Sequence, residues 1–300
     1  MRRRKLRTGY LLLSFLKFIN QLADVMIYGF VGMMLVYGIY TVYDNSRIQA
    51  EADQKHYEAY QPTVNDTQSF ETLKAINTEV QGWISLYGTG ISHPFVQAEN
   101  NTRYTNLAPD GSFSLSGSLF LDYRNACDFT DFNSFIYGHH MDQDEMFGVL
   151  DHYLEEDYFE AHRYGTLYFA GEEHGLEVFA VLHGDAYDRL LYAPVKQGDQ
   201  SETYLHMLKE RAVLQNEVNI ARDDSIVLLS TCSDGMSNQR LLVAAVITDD
   251  IQDNPYLETQ RSVKRLLKAS QQDWTWLWIL AAVILAAAVF RAVKQRQHHT

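Results

Sequence analysis

Cysteine is scarce in this sequence, because the 300 residues include only Cys127 and Cys232. Two cysteines cannot form the disulfide framework that stabilises many exported domains, although a single bridge between them stays open. The sequence contains no Cys-x-x-Cys pair, which argues against a thiol oxidoreductase. The hydrophobic content of 46% is that of a folded protein, so we expect a packed core.

Positive charge is also scarce through the middle of the chain. Residues 44–273 contain 16 Lys and Arg side chains against 37 Asp and Glu. Binding to a nucleic-acid backbone requires clustered cations, so we expect no nucleic-acid partner. An acidic surface of this kind is well solvated and attracts basic partners such as amines.

Charged residues are absent from two long apolar stretches, 25–43 and 274–290. An α-helix needs about 20 apolar residues to cross a hydrocarbon core of about 30 Å. Both stretches are therefore predicted to be transmembrane helices, the second with Arg291 extending to the interface. A buried core helix is the alternative for either stretch, and a cleaved signal peptide is a further alternative for the first.

Basic residues lie on the outer side of both stretches, within 2–7 and 291–296. The positive-inside rule then predicts that both termini are cytoplasmic and that the acidic middle is extracellular. The predicted segments are a basic membrane-proximal segment (1–24), a transmembrane helix (25–43), a juxtamembrane stalk (44–66), an extracellular domain (67–252), a linker (253–273), a transmembrane helix (274–290) and a basic cytoplasmic tail (291–300).

The extracellular domain is predicted to be mainly β, with inserted helices. Eight short runs rich in β-branched and aromatic residues predict eight strands, which favours a barrel or a sandwich. These runs are 83–86, 94–97, 118–121, 134–137, 166–170, 177–183, 226–230 and 241–248.

Three helices are predicted by apolar residues that recur at helical spacing. The third also has a capping signal, in which Asp199 is followed by Glu202. The apolar residues are Phe70, Leu73, Ile76 and Val80 in the first helix, Phe147, Leu150 and Leu154 in the second, and Leu205, Leu208 and Ala212 in the third.

Cys232 closely follows the apolar run 226–230 and precedes a small polar turn. A thiol at the end of a strand is held rigidly and still reaches solvent. Buried cysteines are usually inert, so the residue type alone assigns no function. A catalytic thiol needs a partner that lowers its pKa or transfers its proton, and histidine is the usual partner.

His139 has the most suitable position among the 11 histidines. It comes shortly after the predicted strand 134–137, so it lies at a strand end, as Cys232 does. His140 is adjacent and is an alternative for the functional imidazole. A metal site is a further alternative, although neighbouring histidines rarely bind one ion. Its ligands would come from His139, His140, Asp142, Asp144 and Glu145.

Arg240 precedes the apolar run 241–247, which is typical of a central strand. If this strand pairs antiparallel with 226–230, Cys232 and Arg240 lie at the same end of the sheet. A guanidinium in that position has the donors to stabilise an oxyanion on an attacked carbonyl. A surface salt bridge is the alternative for an isolated arginine.

Three motifs occur in an order that resembles the class B sortases. Residues 229–232, Leu-Ser-Thr-Cys, followed by Arg240, resemble the cysteine and arginine signature of that family. Residues 133–141, with the sequence NSFIYGHHM, resemble its histidine motif. Residues 82–84 and 88–97 resemble its N-terminal block.

The resemblance covers residues 70–248 and implies a sortase-type eight-stranded β-barrel with inserted helices, here flanked by N- and C-terminal transmembrane helices. The predicted helix near 203–213 is similar to the extra helix that distinguishes class B. The Asp-Pro-aromatic lid of the pilus-assembling class C enzymes does not occur before the barrel sequence. A Gram-positive type of cell envelope is implied, with the enzyme in the cell membrane.

The resemblance also implies a cysteine transpeptidase that needs no cofactor and no metal ion. Cys232 would attack a carbonyl in the C-terminal sorting pentapeptide of an exported protein, His139 would protonate the departing amine, and Arg240 would stabilise the oxyanion. An amine from a peptidoglycan precursor or a pilin lysine would then resolve the thioester. Water as the acceptor would make the enzyme a slow thiol protease. The alternative is a non-catalytic sortase-like surface or assembly module.

Overall fold

The computed structural model describes residues 2–52, 57–63, 67–232 and 238–257. The predicted transmembrane helix 274–290 and the tail after it lie outside the described residues. Met1–Asp253 form one compact unit, and a second begins at Asn254. The α-helices are α1 (Arg2–Ala52), α2 (Gln68–Ile76), α3 (Glu156–Ala161) and α4 (Asp199–Arg211), and 3₁₀ turns occur at Glu58–Tyr60, Arg103–Thr105, Asp142–Asp144 and Gly148–Leu154.

Helix α1 contains the first predicted transmembrane stretch. From Leu13 to Arg47 it is long and apolar enough to cross a membrane, and none of its most apolar window is buried. Phe30, Met33 and Val36 are all more than half exposed. Apolar side chains are stable in lipid without protein partners, whereas exposing them to water is unfavourable. The helix continues to Ala52, so the first part of the predicted stalk is helical.

Nine strands form one sheet in the described residues. They are β1 (Val80–Leu86), β2 (Ser92–Val96), β3 (Leu119–Leu121), β4 (Asn133–Tyr137), β5 (Tyr164–Phe169), β6 (Glu172–Asp185), β7 (Ala212–Gln215), β8 (Ser225–Cys232) and β9 (Gln239–Thr248). The order is β5, β1, β2, β3, β4, β8, β9, β6, and β6 also pairs with β5, which closes a ring of eight. The predicted eight-stranded barrel is confirmed.

Strand pairing within the barrel is mostly antiparallel. The exceptions are β2 with β3 and β4 with β8, which run parallel. Strand β7 lies outside the closed ring and pairs with residues 180–182 of β6. The parallel pair β4 and β8 is the important one for the site, because the carboxyl ends of two parallel neighbours meet at one end of the barrel.

Strands β8 and β9 are apolar on both faces because both faces are covered. Successive side chains of a strand point to opposite sides. Val227 and Leu229 belong to the cluster inside the barrel, whereas Ile226 and Leu228 belong to a second cluster outside it. Helix α4 covers this outer side with the buried residues Tyr204 and Leu208. The third predicted helix therefore holds the central strands from outside.

The second and third predicted helices differ in detail from the structure. Helix α4 ends at Arg211, and Ala212, which was expected on its apolar face, begins β7. The helix predicted around Phe147 and Leu150 is a 3₁₀ turn, Gly148–Leu154, and Leu154 is partly exposed. Phe147, Leu150 and Tyr153 are buried at the three-residue spacing of a 3₁₀ helix, and this spacing leaves Leu154 on the exposed side.

Candidate active site

His139 and Cys232 occupy equivalent positions at the ends of neighbouring parallel strands. Tyr137 of β4 is paired with Ser230 of β8. His139 comes two residues after Tyr137, and Cys232 comes two residues after Ser230. The amide of Gly138 donates to the carbonyl of Ser230 at 3.2 Å, so the two chains stay together past the last strand pair. Neighbouring strands lie about 4.8 Å apart. The structure thus brings these two backbone positions together.

Arg240 lies on the neighbouring strand β9, at the same end of the barrel. Cys232 and Arg240 are directly opposite each other in the antiparallel pairing of β8 with β9. On its other side Arg240 pairs with Gly184 of β6. The three predicted site residues therefore lie at one end of the barrel, with His139 just after β4, Cys232 at the end of β8 and Arg240 at the start of β9. Residues 233–237, which join Cys232 to β9, lie outside the described part.

A cleft of about 880 Å³ opens at this end of the barrel. His139, Ser230 and Arg240 line it, together with Thr105 from the loop before β3 and residues 186–189 and 192–194 after β6. Among the described residues, its lining includes three arginines, Arg124, Arg189 and Arg240, and one acid, Asp188. Arg124 is paired with Asp122 at 2.7 Å, and Asp188 is paired with Arg211 at 2.5 Å. The described lining therefore has more basic than acidic side chains, in a domain that is acidic as a whole.

The two adjacent histidines have different partners. His139 borders the cleft, and its Nε2 lies 2.7 Å from the carbonyl oxygen of Thr105. His140 instead places Nε2 2.8 Å from Oδ2 of Asp151. His140 does not line the cleft, so the geometry favours His139 as the functional imidazole. In the part of the chain that the structure describes, no three metal-binding side chains come together, so the metal alternative gains no support.

Two residues of the cleft lining, Arg124 and Tyr137, bind a buried carboxylate that the sequence analysis did not single out. Asp122 has no exposed surface. It accepts hydrogen bonds from Nε and Nη2 of Arg124 at 2.9 and 2.7 Å and from the hydroxyl of Tyr137 at 2.9 Å. Burial raises the pKa of Asp122, but the bonds from Arg124 and Tyr137 outweigh burial, and the pKa lies below its ordinary value. The carboxylate is therefore ionised.

The pKa of Tyr137 shifts in the opposite direction to that of Asp122. Burial, together with the negative charge of Asp122, raises the pKa of the Tyr137 hydroxyl. The hydroxyl therefore stays protonated and donates to Asp122. Because Tyr137 precedes Gly138 and His139, this bond anchors the end of β4 from which the histidine projects.

The wall formed by residues 186–196 is fixed by bonds to both β4 and β8. Arg124 donates from Nη2 to the carbonyl of Tyr192 at 3.0 Å. The hydroxyl of Tyr192 lies 3.0 Å from the hydroxyl of Ser230. Asn133 donates to the carbonyl of Ala193 at 2.9 Å. A signal for Arg124 was present in the sequence, since Asp122 and Arg124 follow a predicted strand, as His139 and Cys232 do.

Cys127 is not part of the site. It lies in the turn after β3, is exposed and forms no disulfide. The single bridge that the sequence left open is therefore not present. Cys232 is left as the cysteine beside the cleft end of the barrel.

Comparison with known proteins identifies relatives in both sequence and structure. No family model matches the chain. Sortase B of Staphylococcus aureus is 31% identical over 195 residues, which are 64% of this chain and 78% of that protein. Sortase B from the type II pilus of Streptococcus pneumoniae is 41% identical with a TM-score of 0.54, over 60% of this chain and 99% of that structure. A Streptococcus pyogenes class B sortase involved in pilus biogenesis is 37% identical with a TM-score of 0.55, over 59% and 97%.

The similarity to these solved structures agrees with the closed eight-stranded barrel. Their similarity extends over nearly the whole of the solved sortase structures. The chain therefore belongs to the class B sortases, which are cysteine transpeptidases.

Proposed function

We propose that this enzyme cleaves the C-terminal sorting signal of exported proteins through a Cys232 thioester and transfers the acyl group to an amine. The observation that carries the proposal is the strand register. It assigns His139, Cys232 and Arg240 to adjacent strand ends beside a cleft of about 880 Å³. A nucleophile, a proton carrier and a guanidinium are the groups that acyl transfer to and from sulfur requires.

In the first half of the proposed reaction, the thiolate of Cys232 attacks a backbone carbonyl of the sorting signal. Negative charge develops on the carbonyl oxygen, and the guanidinium of Arg240 stabilises it. The C–N bond then breaks, His139 gives its proton to the departing amine, and the acyl group stays on sulfur as a thioester. The barrel end supports this step because β8 and β9 fix Cys232 opposite Arg240.

In the second half, an amine attacks the thioester carbonyl. His139 takes the proton of the amine, a new amide bond forms, and the sulfur leaves as a thiolate. The reaction returns Cys232 and His139 to their starting states. Water in place of the amine gives a carboxylic acid and makes the enzyme a slow protease.

The proposed partners are exported proteins with a sorting pentapeptide and an amine on a peptidoglycan precursor or a pilin lysine. Two of the similar structures come from pilus systems, which supports a pilin lysine as one acceptor. The acidic domain favours approach of cationic amines. We propose that α1 anchors the domain on the extracellular face of the cell membrane, with the amino terminus in the cytoplasm. The second anchor at 274–290 remains a prediction, as do the carboxyl terminus and the segment boundaries.

The proposal is tested by transfer of peptides to a simple amine. The full chain in detergent is incubated with a pool of fluorescent peptides that carry randomised pentapeptide cores, and with hydroxylamine as the acceptor. We expect peptide hydroxamates with the wild type and none with Cys232→Ala. Cys127→Ser is the matched control and should transfer at the wild-type rate, because Cys127 does not line the cleft. Equal transfer by Cys232→Ala would rule out the proposal, and no transfer by the wild type would favour the non-catalytic assembly module.

A further inference from the structure

We propose that the backbone carbonyl of Thr105 fixes His139 in the tautomer with its proton on Nε2, and leaves Nδ1 as the nitrogen that exchanges protons during transfer. The inference rests on the catalytic role proposed above for His139. It makes Thr105 a positioning residue, because its carbonyl acts on the imidazole and touches no reacting atom.

The tautomer follows from the chemistry of the contact. A backbone carbonyl only accepts hydrogen bonds. Nε2 of His139 lies 2.7 Å from the carbonyl oxygen of Thr105, so Nε2 must carry a hydrogen. In a neutral imidazole the other nitrogen then has the lone pair. Among the side chains that the structure describes, Nδ1 has no hydrogen-bond partner, and the ring borders the cleft.

This bond is compatible with both steps of the proposed reaction. When Nδ1 takes a proton, Nε2 keeps its hydrogen and its bond to Thr105. The imidazolium therefore forms and discharges without any turning of the ring. A ring held in one orientation keeps Nδ1 directed at a constant place, which is the advantage of a preorganised base.

The Thr105 carbonyl is itself held by a well-anchored turn. Thr105 ends the 3₁₀ turn Arg103–Thr105, whose middle residue, Tyr104, is 1% exposed. The Tyr104 hydroxyl donates to Glu79 at 2.6 Å and accepts from Asn77 at 2.7 Å. The carbonyl of Tyr104 accepts from the amide of Ser118 at 3.0 Å. The turn is thus tied to the start of β1 and to the chain before β3.

Gly117 leaves the space that the carbonyl needs. It has φ of +60°, and an added Cβ would lie 2.7 Å from the carbonyl oxygens of both Thr105 and Tyr104. An atom at that distance must displace one of the two carbonyls. Gly111 in the same loop has φ of +85° but nothing within 4 Å of its added Cβ. Gly117→Ala therefore moves the histidine's partner, and Gly111→Ala adds a similar backbone strain without this contact.

The tautomer is measured by NMR on the full chain in detergent micelles, with ¹⁵N in the histidine rings. The pH is raised until the ring signals of His139 are those of a neutral imidazole, and two-bond ¹H–¹⁵N correlations then distinguish its two nitrogens. The signals of His139 are those that disappear in His139→Ala. We expect a single Nε2-protonated tautomer. A tautomer protonated on Nδ1, or a mixture of the two, overturns the proposal.

The variants test how the carbonyl acts. We expect Gly117→Ala to convert His139 into a tautomer mixture and Gly111→Ala to keep the single tautomer. In the peptide-transfer assay, we expect kcat to fall by about tenfold to a hundredfold in Gly117→Ala, with KM within about twofold. A folded Gly117→Ala protein with the wild-type tautomer contradicts the positioning role. If this variant does not fold, the wild-type spectrum still decides the tautomer.

These results are separable from the test of the proposed function. The NMR measurement needs no substrate, so it succeeds or fails whether or not Cys232 forms a thioester. Conversely, loss of transfer in Cys232→Ala reveals nothing about the ring nitrogen that carries the proton.

Discussion

Asp122 connects the two walls of the cleft through a single buried carboxylate. Arg124 binds both of its oxygens and also the carbonyl of Tyr192, whereas Tyr137 binds it from the end of β4. A buried charge is tolerated only where it is paired and fully hydrogen-bonded. The Asp122–Arg124 ion pair is therefore one of the contacts that hold the cleft walls together, and we expect it to contribute to stability.

The pH dependence of stability tests this ion pair. The pKa of Asp122 is lower in the folded protein than its ordinary value, so its stabilising contribution is complete above about pH 4 and is lost as the pH falls toward the folded pKa. Asp122→Asn removes this contribution and should lower the free energy of unfolding by about 1–3 kcal/mol near neutral pH. Between about pH 5 and 2, urea denaturation should show a smaller loss of stability in Asp122→Asn than in the wild type. Parallel losses in the two proteins would contradict this role.

The residues that were predicted from the sequence are brought together by neighbouring strands, whereas the residue that was missed contacts a distant loop. Cys232 and Arg240 are joined by two neighbouring strands, and His139 lies on the adjacent parallel strand, so strand ends were sufficient to group them. The partner of Arg124 at Tyr192 is 68 residues away in a loop. No local pattern specifies where such a loop returns, because that depends on the packing of the whole barrel.

Helix α4 packs against the strands that carry two of the predicted site residues. It packs Tyr204 and Leu208 onto the outer face of the strands that carry the site. Leu208 is fully buried in a cluster with Leu228 of β8 and Leu242 of β9. Apolar burial is the main stabilising contribution in such a contact. Helix α4 therefore supports the strand ends from behind, at a distance from the chemistry.

Truncation of Leu208 measures this support. Leu208→Ala should lower the free energy of unfolding by about 2–5 kcal/mol, because it leaves a cavity between α4 and the barrel. Leu190→Ala is the matched control, since Leu190 is 70% exposed and its truncation should change stability by about 0.5 kcal/mol or less. Chemical denaturation followed by circular dichroism gives both values. Similar values for the two variants would show that α4 does not stabilise the barrel.

The strands and helices also show which local sequence patterns were sufficient to predict secondary structure. The eight barrel strands were predicted because their apolar runs are bounded by turn residues. Strand β7 was missed because it is short and its register is set by pairing with β6. Val80 has helical spacing after Phe70 and Leu73, yet it begins β1, since α2 ends at Ile76. Tertiary pairing overrides a weak local period in such cases.

The whole molecule combines an apolar helix, an acidic domain and a cleft lined by arginines. Helix α1 exposes its apolar side chains along the stretch from Leu13 to Arg47. Residues 44–273 carry an excess of acids, whereas the cleft is bordered by three arginines. The excess of negative charge favours amines over anions at the surface, and the proposed reaction would form its oxyanion beside Arg240, one of these arginines.

Orientation in the membrane is tested with the native Cys127. It is exposed, so in a Cys232→Ala background it is the sole thiol for a membrane-impermeant maleimide. Labelling of intact cells is expected because the domain is predicted to be extracellular. Cys127→Ser in the same background is the control and should give no signal. Labelling that appears only after lysis would reverse the predicted orientation.

The most direct measurement is the position of the acyl group on the enzyme. Brief incubation with the peptide pool in the absence of an added amine, followed by digestion and tandem mass spectrometry, locates the thioester. The account predicts acylation of Cys232, slowed by about 10²–10³-fold in Arg240→Ala and by about 10²–10⁴-fold in His139→Ala. Acylation of Cys127, or acylation of Cys232 at an unchanged rate in both variants, would contradict it.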